Sequence, residues 1–238
     1  MIIGLTGAAG SGKDTVAGIL VRSSKRNEID RAFGIEADEC RLQEWQRIAF
    51  ADALYREVCD AFGINIEIFR VREHKETSTL ALNMAQCGDR AFVEVVRAIE
   101  WNQFDWLAPH SPRQILQWWG TDYRREQDED YWVRPVRCRV LAAQQQDRIL
   151  RQEKSWAFAD VRRRNEADLA YELSGSVPGA LVVVERDVEA VAKHKTEAFW
   201  ATCTPDYRLD NRHDLDQTRS NLSAILDAHI AAQKRLIG

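Results

Sequence analysis

The chain has 238 residues, of which 45% are hydrophobic and 29% charged, and its formal net charge is −4. This length suits one α/β core with an inserted region, and the slightly acidic balance disfavours binding to a nucleic-acid polymer. The five cysteines lie far apart and form no C-x-x-C pair, a pattern typical of reduced thiols in a cytoplasmic protein. No apolar stretch is long enough to cross a bilayer, so we expect no membrane partner.

Short apolar segments predict the strands of a parallel sheet, because continuous apolar runs are typical of strands that helices cover on both faces. In chain order these segments are Ile2 to Thr6, Arg47 to Ala51, Trp156 to Ala159, Ala180 to Val184 and a weaker one, Tyr207 to Asp210. Helical patterns separate the segments. Strands that alternate with helices predict a doubly wound α/β domain.

The stretch between the second and third predicted strands is too long for one crossover helix. We therefore interpret residues 63–154 as a helical insertion that forms one wall of an acceptor pocket. Residues 1–62 and 155–238 are interpreted as the core domain, with a lid at about 185–200.

The segment after the first predicted strand, called the glycine loop here, carries the strongest motif in the chain. It consists of Gly7, Ala8, Ala9, Gly10, Ser11, Gly12, Lys13, Asp14 and Thr15. Glycines let the backbone curl so that successive N–H groups point at one anion, and a following helix adds the positive end of its dipole. We expect Lys13 to reach the β- and γ-phosphates of a bound nucleotide. The motif therefore predicts a phosphate-binding loop, or P-loop.

The position after the lysine departs from the strict form of this motif, which has Ser or Thr there to bind Mg²⁺. Asp14 occupies that position and Thr15 follows it. We expect Thr15 to bind either a phosphate or a water-bridged Mg²⁺ ion.

Two acids close predicted strands, Asp52 after Ala51 and Asp160 after Ala159. In open α/β sheets ligands bind at the carboxyl ends of the strands. Each carboxylate is a candidate to orient the acceptor, to accept its proton or to hold Mg²⁺ through water. The alternative for each is that it caps the helix that follows.

Arginines lie in segments where bidentate guanidinium groups suit phosphate oxygens. Arg113, Arg124 and Arg162 are the candidates for the transfer site, and a solvated helix surface is the alternative for each. Arg186 follows the fourth predicted strand, and Lys193 to Glu197 come shortly after it. We interpret this last segment as a lid that closes over ATP and excludes water.

Four stretches occur in an order that is known from one family. They are Gly7 to Thr15; Phe50 to Asp52 with Leu54; Pro112 to Gln117 with Gly120, Thr121 and Arg124; and Asp160 to Arg162 with Asn165 to Ala167. Together they resemble the bacteriophage-type deoxynucleoside monophosphate kinases. The C-terminal part is also similar, with His194 and Glu197 before a strand that ends at Asp210 and Asn211. Nucleoside monophosphate kinases often have a non-hydroxyl residue between the loop lysine and the threonine, as here.

The resemblance implies a P-loop kinase fold with a parallel sheet of about five strands, a helical acceptor-binding insertion and a lid. It implies ATP and Mg²⁺ as donor and cofactor, a deoxynucleoside monophosphate as acceptor, and it is compatible with a homodimer. By motif match, the transfer residues are Lys13, Asp52, Arg113, Arg124 and Arg162; the donor contacts are Gly7, Gly10, Ser11, Gly12, Lys13, Asp14, Thr15 and Arg186; and the metal candidates are Thr15 and Asp160.

Two other classes of protein fit parts of the pattern. A different small-molecule kinase, similar to dephospho-coenzyme A kinase or adenylate kinase, shares the loop, the strand-end acid and the lid. A catalytically silent nucleotide-binding protein keeps the loop alone. The sequence leaves the base preference open, because the stretch from Gly63 to Pro109 has little that matches the family.

Overall fold

A computed structural model describes residues 1–32, 44–70, 72–151, 154–175, 177–187 and 199–237. The chain forms two compact units. The core unit comprises Met1–Phe50 and Val136–Gly238, and the helical unit comprises Ala51–Pro135. Within the described ranges, no helix combines the length and the apolar character that a membrane span requires.

The core unit is built on a five-stranded sheet in which every neighbouring pair of strands is parallel. The strands are β1 Ile2–Thr6, β2 Glu44–Ile48, β3 Lys154–Phe158, β4 Ala180–Glu185 and β5 Tyr207–Asp210. Their order across the sheet is β2-β3-β1-β4-β5. The predicted α/β class and parallel sheet are thus confirmed for the described residues, although β2 lies three residues earlier than the apolar pattern placed it.

Burial explains why these segments are strands. All five residues of the central strand β1 are buried, as are the first five of β4. On the face that helices α1 (Lys13–Ala32) and α9 (Leu215–Ile237) cover, the sheet and its helices share a core of aliphatic side chains, which removes apolar surface from water. Its members include Ile3, Leu5, Val16, Leu20, Val182, Val184, Leu209 and Leu222.

Helices cover the sheet and set its topology. The core unit contains α1 Lys13–Ala32, most of α6 Val133–Leu150, α7 Arg164–Glu172, α8 Phe199–Thr202 and α9 Leu215–Ile237. Helix α1 packs on β1, β2 and β3 and contacts α9, whereas α7 packs on β1 and β4. The connections from β1 to β2 and from β3 to β4 run in opposite directions across the sheet, so right-handed crossovers place α1 and α7 on opposite faces. The carboxyl ends of β1 and β3 therefore flank the switch point where open α/β sheets bind ligands.

The helical unit is formed by short helices. They are α2 Ala51–Phe62, α3 Glu67–Arg70, α4 Arg90–Glu100, α5 Pro112–Gln117, the 3₁₀ turns Arg72–Glu76, Leu80–Leu82 and Trp101–Gln103, and a π-helical segment Trp118–Arg125 that continues α5. Aromatic rings fill its core: the ring of Phe92 lies 4.5 Å from that of Trp119 and 5.7 Å from that of Tyr123, centroid to centroid. The helical unit spans Ala51–Pro135, whereas the sequence pattern placed the helical insertion at residues 63–154.

Candidate active site

The glycine loop joins β1 to α1 in a conformation that only glycine adopts easily. Gly7, Gly10 and Gly12 have φ angles of 148°, 81° and 95°, and L-residues rarely occupy this region. A Cβ atom at Gly7 would also lie 2.5 Å from the carbonyl oxygen of Val184 in β4. The loop glycines are therefore required by backbone geometry.

Lys13, the first residue of α1, folds its side chain back across the loop. Its Nζ donates to the carbonyl oxygens of Gly7 and Ala8, each at 2.8 Å. Ser11 is fully buried, and its Oγ is one of three buried side-chain polar atoms in the described residues without a hydrogen-bond partner. Buried hydroxyl groups normally have hydrogen-bond partners. The Ser11 hydroxyl is therefore a polar group of the loop whose hydrogen-bonding capacity the described residues leave unused.

A cleft opens between the carboxyl ends of β1 and β3, at the switch point of the sheet. This core cleft holds about 270 Å³ of space, part of it open to solvent, and it is lined by Thr6, Gly7, Ala9, Lys13, Val161, Arg162, Phe199 and Trp200. The structure thus brings together two of the predicted site residues, Lys13 from the loop and Arg162 from the segment after β3. Two cations in one cleft favour an anionic ligand.

Arg162 lies in a short segment whose backbone is fixed by the side chain of Glu166. The buried carboxylate of Glu166 accepts hydrogen bonds from the backbone N–H groups of Arg162 at 2.6 Å and Arg163 at 3.2 Å. The Arg162 side chain is exposed, and it forms no ion pair with any residue in the described ranges. Its guanidinium group is therefore available to a ligand in the core cleft.

The two strand-end acids have different positions. Asp160 Oδ1 accepts a hydrogen bond from the N–H of Phe50 at 2.7 Å, which links the ends of β3 and β2. Helix α7 begins four residues later, at Arg164, so Asp160 does not cap it. Asp52 is the second residue of α2 rather than the residue before it, and its charge lies at the end of the helix where the dipole favours an anion.

Asp14 and Thr15, the two residues after Lys13, have different surroundings. Asp14 Oδ1 lies 2.8 Å from Nη2 of Arg47 in β2, which ties the start of α1 to the sheet. Thr15 is exposed in the first turn of α1. Among the described side chains no group of three or more His, Cys, Asp or Glu residues could hold a metal ion.

Arg124 lies in the helical unit, within a group of side chains called the Arg124 cluster. The cluster consists of Arg124, Glu57, Asp89, Trp119, Tyr123 and Tyr131. The Glu57 carboxylate accepts from Arg124 Nε at 2.9 Å, from the Trp119 indole N–H at 3.0 Å and from the Tyr131 hydroxyl at 2.7 Å. Asp89 accepts from the Tyr123 hydroxyl at 3.0 Å.

The positive charge of Arg124 is compensated by carboxylates within its own cluster. The guanidinium carbon of Arg124 lies 4.3 Å from the ring centroid of Tyr123 and 5.0 Å from that of Tyr131, within cation–π range. Burial, and then the hydrogen bond to Glu57, raise the pKa of Tyr131 to about 12. Burial and the hydrogen bond to Asp89 likewise raise the pKa of Tyr123. Both tyrosines therefore remain protonated donors at neutral pH, and Arg124 is engaged by carboxylates of its own unit.

Arg113 and Arg186 occupy surface positions. Arg113 lies in the first turn of α5, after the cap residue Ser111, and forms a close ion pair with Glu76. Arg186 is exposed directly after β4. Residues 188–198 of the predicted lid, which include Lys193 to Glu197, lie outside the described residues.

Sequence reasoning assigned no individual role to three residues of the core unit, although Phe199 and Trp200 fall at the end of the predicted lid. Phe199 and Trp200 line the core cleft from α8, but an aromatic pair on a short helix has the same sequence pattern as a buried core. Asn211, after β5, donates a hydrogen bond to the carbonyl of Ser11 in the glycine loop. The only signal for Asn211 was its place in the C-terminal stretch of the family resemblance.

No protein-family model matches this chain, and a search of curated proteins found no match either. The described residues define an α/β protein whose central strand leads into a glycine-rich loop beside a cationic cleft.

Proposed function

We propose that this protein transfers the γ-phosphate of ATP to a deoxynucleoside monophosphate. The observation that carries the proposal is the presence of Lys13 and Arg162 in one cleft at the carboxyl ends of β1 and β3. Phosphoryl transfer depends mainly on positioning and on stabilising spread negative charge, and a cleft with cations from two different loops suits that task.

The glycine loop supports the binding of the donor. Its curled backbone precedes the N-terminus of α1, where free N–H groups and the helix dipole favour phosphate. Lys13 already lies across the loop on the carbonyl groups of Gly7 and Ala8. In the proposed complex its ammonium group moves onto the β- and γ-phosphates and follows the charge during transfer.

Arg162 faces the same space from the segment after β3, with its backbone held by Glu166. We propose that its guanidinium group binds the transferred phosphoryl group and the acceptor phosphate. These groups need a hydrogen-bond donor on the side of the cleft opposite the loop. Phe199 and Trp200 supply an apolar wall that excludes water from the transferred group. Selection of the acceptor base is assigned to the helical unit, as the family resemblance implies.

The oxygen donors near the loop suit Mg²⁺, which keeps several waters and uses one or two protein oxygens with substrate phosphates. Thr15 in the first turn of α1 and Asp160 after β3 are the residues that would hold it. When bound, the ion neutralises charge on the donor phosphates.

A panel of acceptors tests the proposal. The full chain is incubated with ATP–Mg²⁺ and dGMP, dTMP, dCMP, dAMP, their ribose forms or dephospho-coenzyme A, and phosphorylated products are separated from ADP. We expect acceptor-dependent ADP release and a deoxynucleoside diphosphate from at least one acceptor. Transfer to dephospho-coenzyme A or AMP alone would contradict the assigned acceptor, and ATP binding without any transfer would indicate a catalytically silent protein.

A further inference from the structure

A buried amide connects the C-terminal part of the core unit to the glycine loop. Asn211, the residue after β5, is 6% exposed, and its Nδ2 donates to the carbonyl oxygen of Ser11 at 2.7 Å. Its Oδ1 lies 2.8 Å from the hydroxyl of Thr218, which is fully buried in the first turns of α9. Both sides of the amide are therefore engaged.

The chemistry of these partners fixes the orientation of the amide. A carbonyl oxygen only accepts hydrogen bonds, so the NH₂ group of Asn211 must face Ser11 and its oxygen must face Thr218. Thr218 is itself held in place, because its N–H donates to the carbonyl of Asp214 at 3.0 Å. The side chain of Asp214 caps the same helix by accepting from the N–H of Gln217 at 2.8 Å.

The other end of the connection lies in the sheet. The backbone N–H of Asn211 donates to the carbonyl of Glu185 at 2.8 Å, directly after the β4–β5 ladder. The amide also fits closely against the loop, since a Cβ atom at Gly12 would lie 2.3 Å from Asn211 Nδ2. Asn211 thus links the end of β5 to the glycine loop, in which three glycines have positive φ angles.

We propose that Asn211 is a positioning residue that sets the glycine loop for the donor phosphates, and that Thr218 orients its amide. The inference rests on the proposed function. A glycine-rich loop has many accessible conformations, and ordering it costs entropy. By engaging the Ser11 carbonyl, Asn211 keeps a repulsive oxygen away from the phosphates and limits the conformations open to the loop. Asn211 itself touches neither substrate.

The test compares three variants with a matched control by titrating ATP and, separately, inorganic tripolyphosphate into the full chain. Asn211→Ala removes the connection, Asn211→Asp places a carboxylate against the Ser11 carbonyl, and Thr218→Val removes the orienting hydroxyl without changing side-chain shape. Asn221→Ala is the control. The side-chain amide of Asn221 donates to the carbonyl of Asp210, at the end of β5, at 3.1 Å and does not contact the glycine loop.

We expect both Asn211 variants to bind ATP about 10- to 100-fold more weakly, with Asn211→Asp the weaker binder. Thr218→Val should lose about 3- to 10-fold and should add little to Asn211→Ala, because the two residues act through one amide. The KM for ATP should rise while the KM for the acceptor, at saturating ATP, stays within about twofold. The control should keep wild-type affinity, and thermal melts of all variants report whether the fold is intact.

The outcomes separate the two proposals. Wild-type ATP affinity in a folded Asn211→Ala variant, or in Thr218→Val should the Asn211 variants not fold, would overturn this inference alone. Equal rises in both KM values would also overturn it, since a general structural defect acts on both substrates. A wild-type chain that binds neither ATP nor tripolyphosphate would overturn the proposed function and this inference with it.

Discussion

Two arginines that look equivalent in the sequence have opposite environments in the structure. Arg162 is exposed, lines the core cleft beside Lys13 and pairs with no acid among the described residues. The Arg124 side chain is 19% exposed, and its guanidinium group is held by Glu57 and surrounded by aromatic rings. Charge that neighbouring carboxylates compensate already has its partners within the protein, whereas uncompensated charge in a cleft is available to a ligand.

The same contrast holds for the groups around the two arginines. In the Arg124 cluster, Glu57 accepts three hydrogen bonds and Asp89 accepts from Tyr123, so the polar atoms described there have partners. In the glycine loop, the buried Ser11 hydroxyl has none. The difference agrees with the core cleft as the transfer site of the proposed function, and it predicts that the Arg124 cluster stabilises the helical unit.

The largest expected effect comes from the cleft. Lys13→Ala should lower kcat/KM by at least about 100-fold while leaving the fold intact, because in the proposed function Lys13 acts on developing charge rather than on core packing. Steady-state kinetics with the best acceptor measure the loss, and Lys234→Ala, an exposed lysine in the last turn of α9, is the control. Full activity in a folded Lys13→Ala variant would contradict the mechanism.

The Arg124 cluster should respond in stability. Arg124→Ala should lower the free energy of unfolding by about 2–3 kcal/mol, because it removes the cation–π contacts and leaves the carboxylate of Glu57 without its charged partner. Denaturant unfolding measures the change. The exposed pair of Arg219 with Asp216 is the control, and Arg219→Ala should cost less than about 0.5 kcal/mol. An equal loss in both variants would remove the distinction between the two regions.

Arg162 should show the reverse pattern to Arg124. Arg162→Ala should reduce kcat/KM by about 10- to 100-fold and change stability by less than about 1 kcal/mol, since the side chain is exposed and Glu166 still holds the backbone. Arg164→Ala is a matched control two residues away, because that side chain is 83% exposed and pairs with Asp168. Unchanged kinetics in Arg162→Ala would move the transfer site away from this cleft.

The smallest effect is expected at Arg113. Arg113→Ala should raise the acceptor KM by about 3- to 10-fold and affect ATP binding less, as the family resemblance places Arg113 near the acceptor. Glu76→Ala sharpens the test, because it removes the ion-pair partner of Arg113 and keeps the cation. A fall in acceptor affinity in Glu76→Ala as large as in Arg113→Ala would indicate that the pair has only a structural role.

Several features of the site could be predicted from local patterns. The apolar segments that became β1, β3 and β4 are recognisable because buried parallel strands need continuous apolar runs. The glycine loop was recognisable because its positive φ angles require glycine at fixed positions. The start of β2 was not, since Glu44 and Gln46 are only partly buried and their pattern resembles a surface segment.

The sequence by itself determined the class of the fold and the place of the loop, because strand burial and backbone conformation leave local patterns in the residues. Only the tertiary structure decided which polar and charged groups meet. Asn211 and Ser11 lie 200 positions apart, yet they form one hydrogen bond at the loop. Such contacts depend on how crossovers fold the chain back onto the sheet, and no pattern within a short window records that geometry.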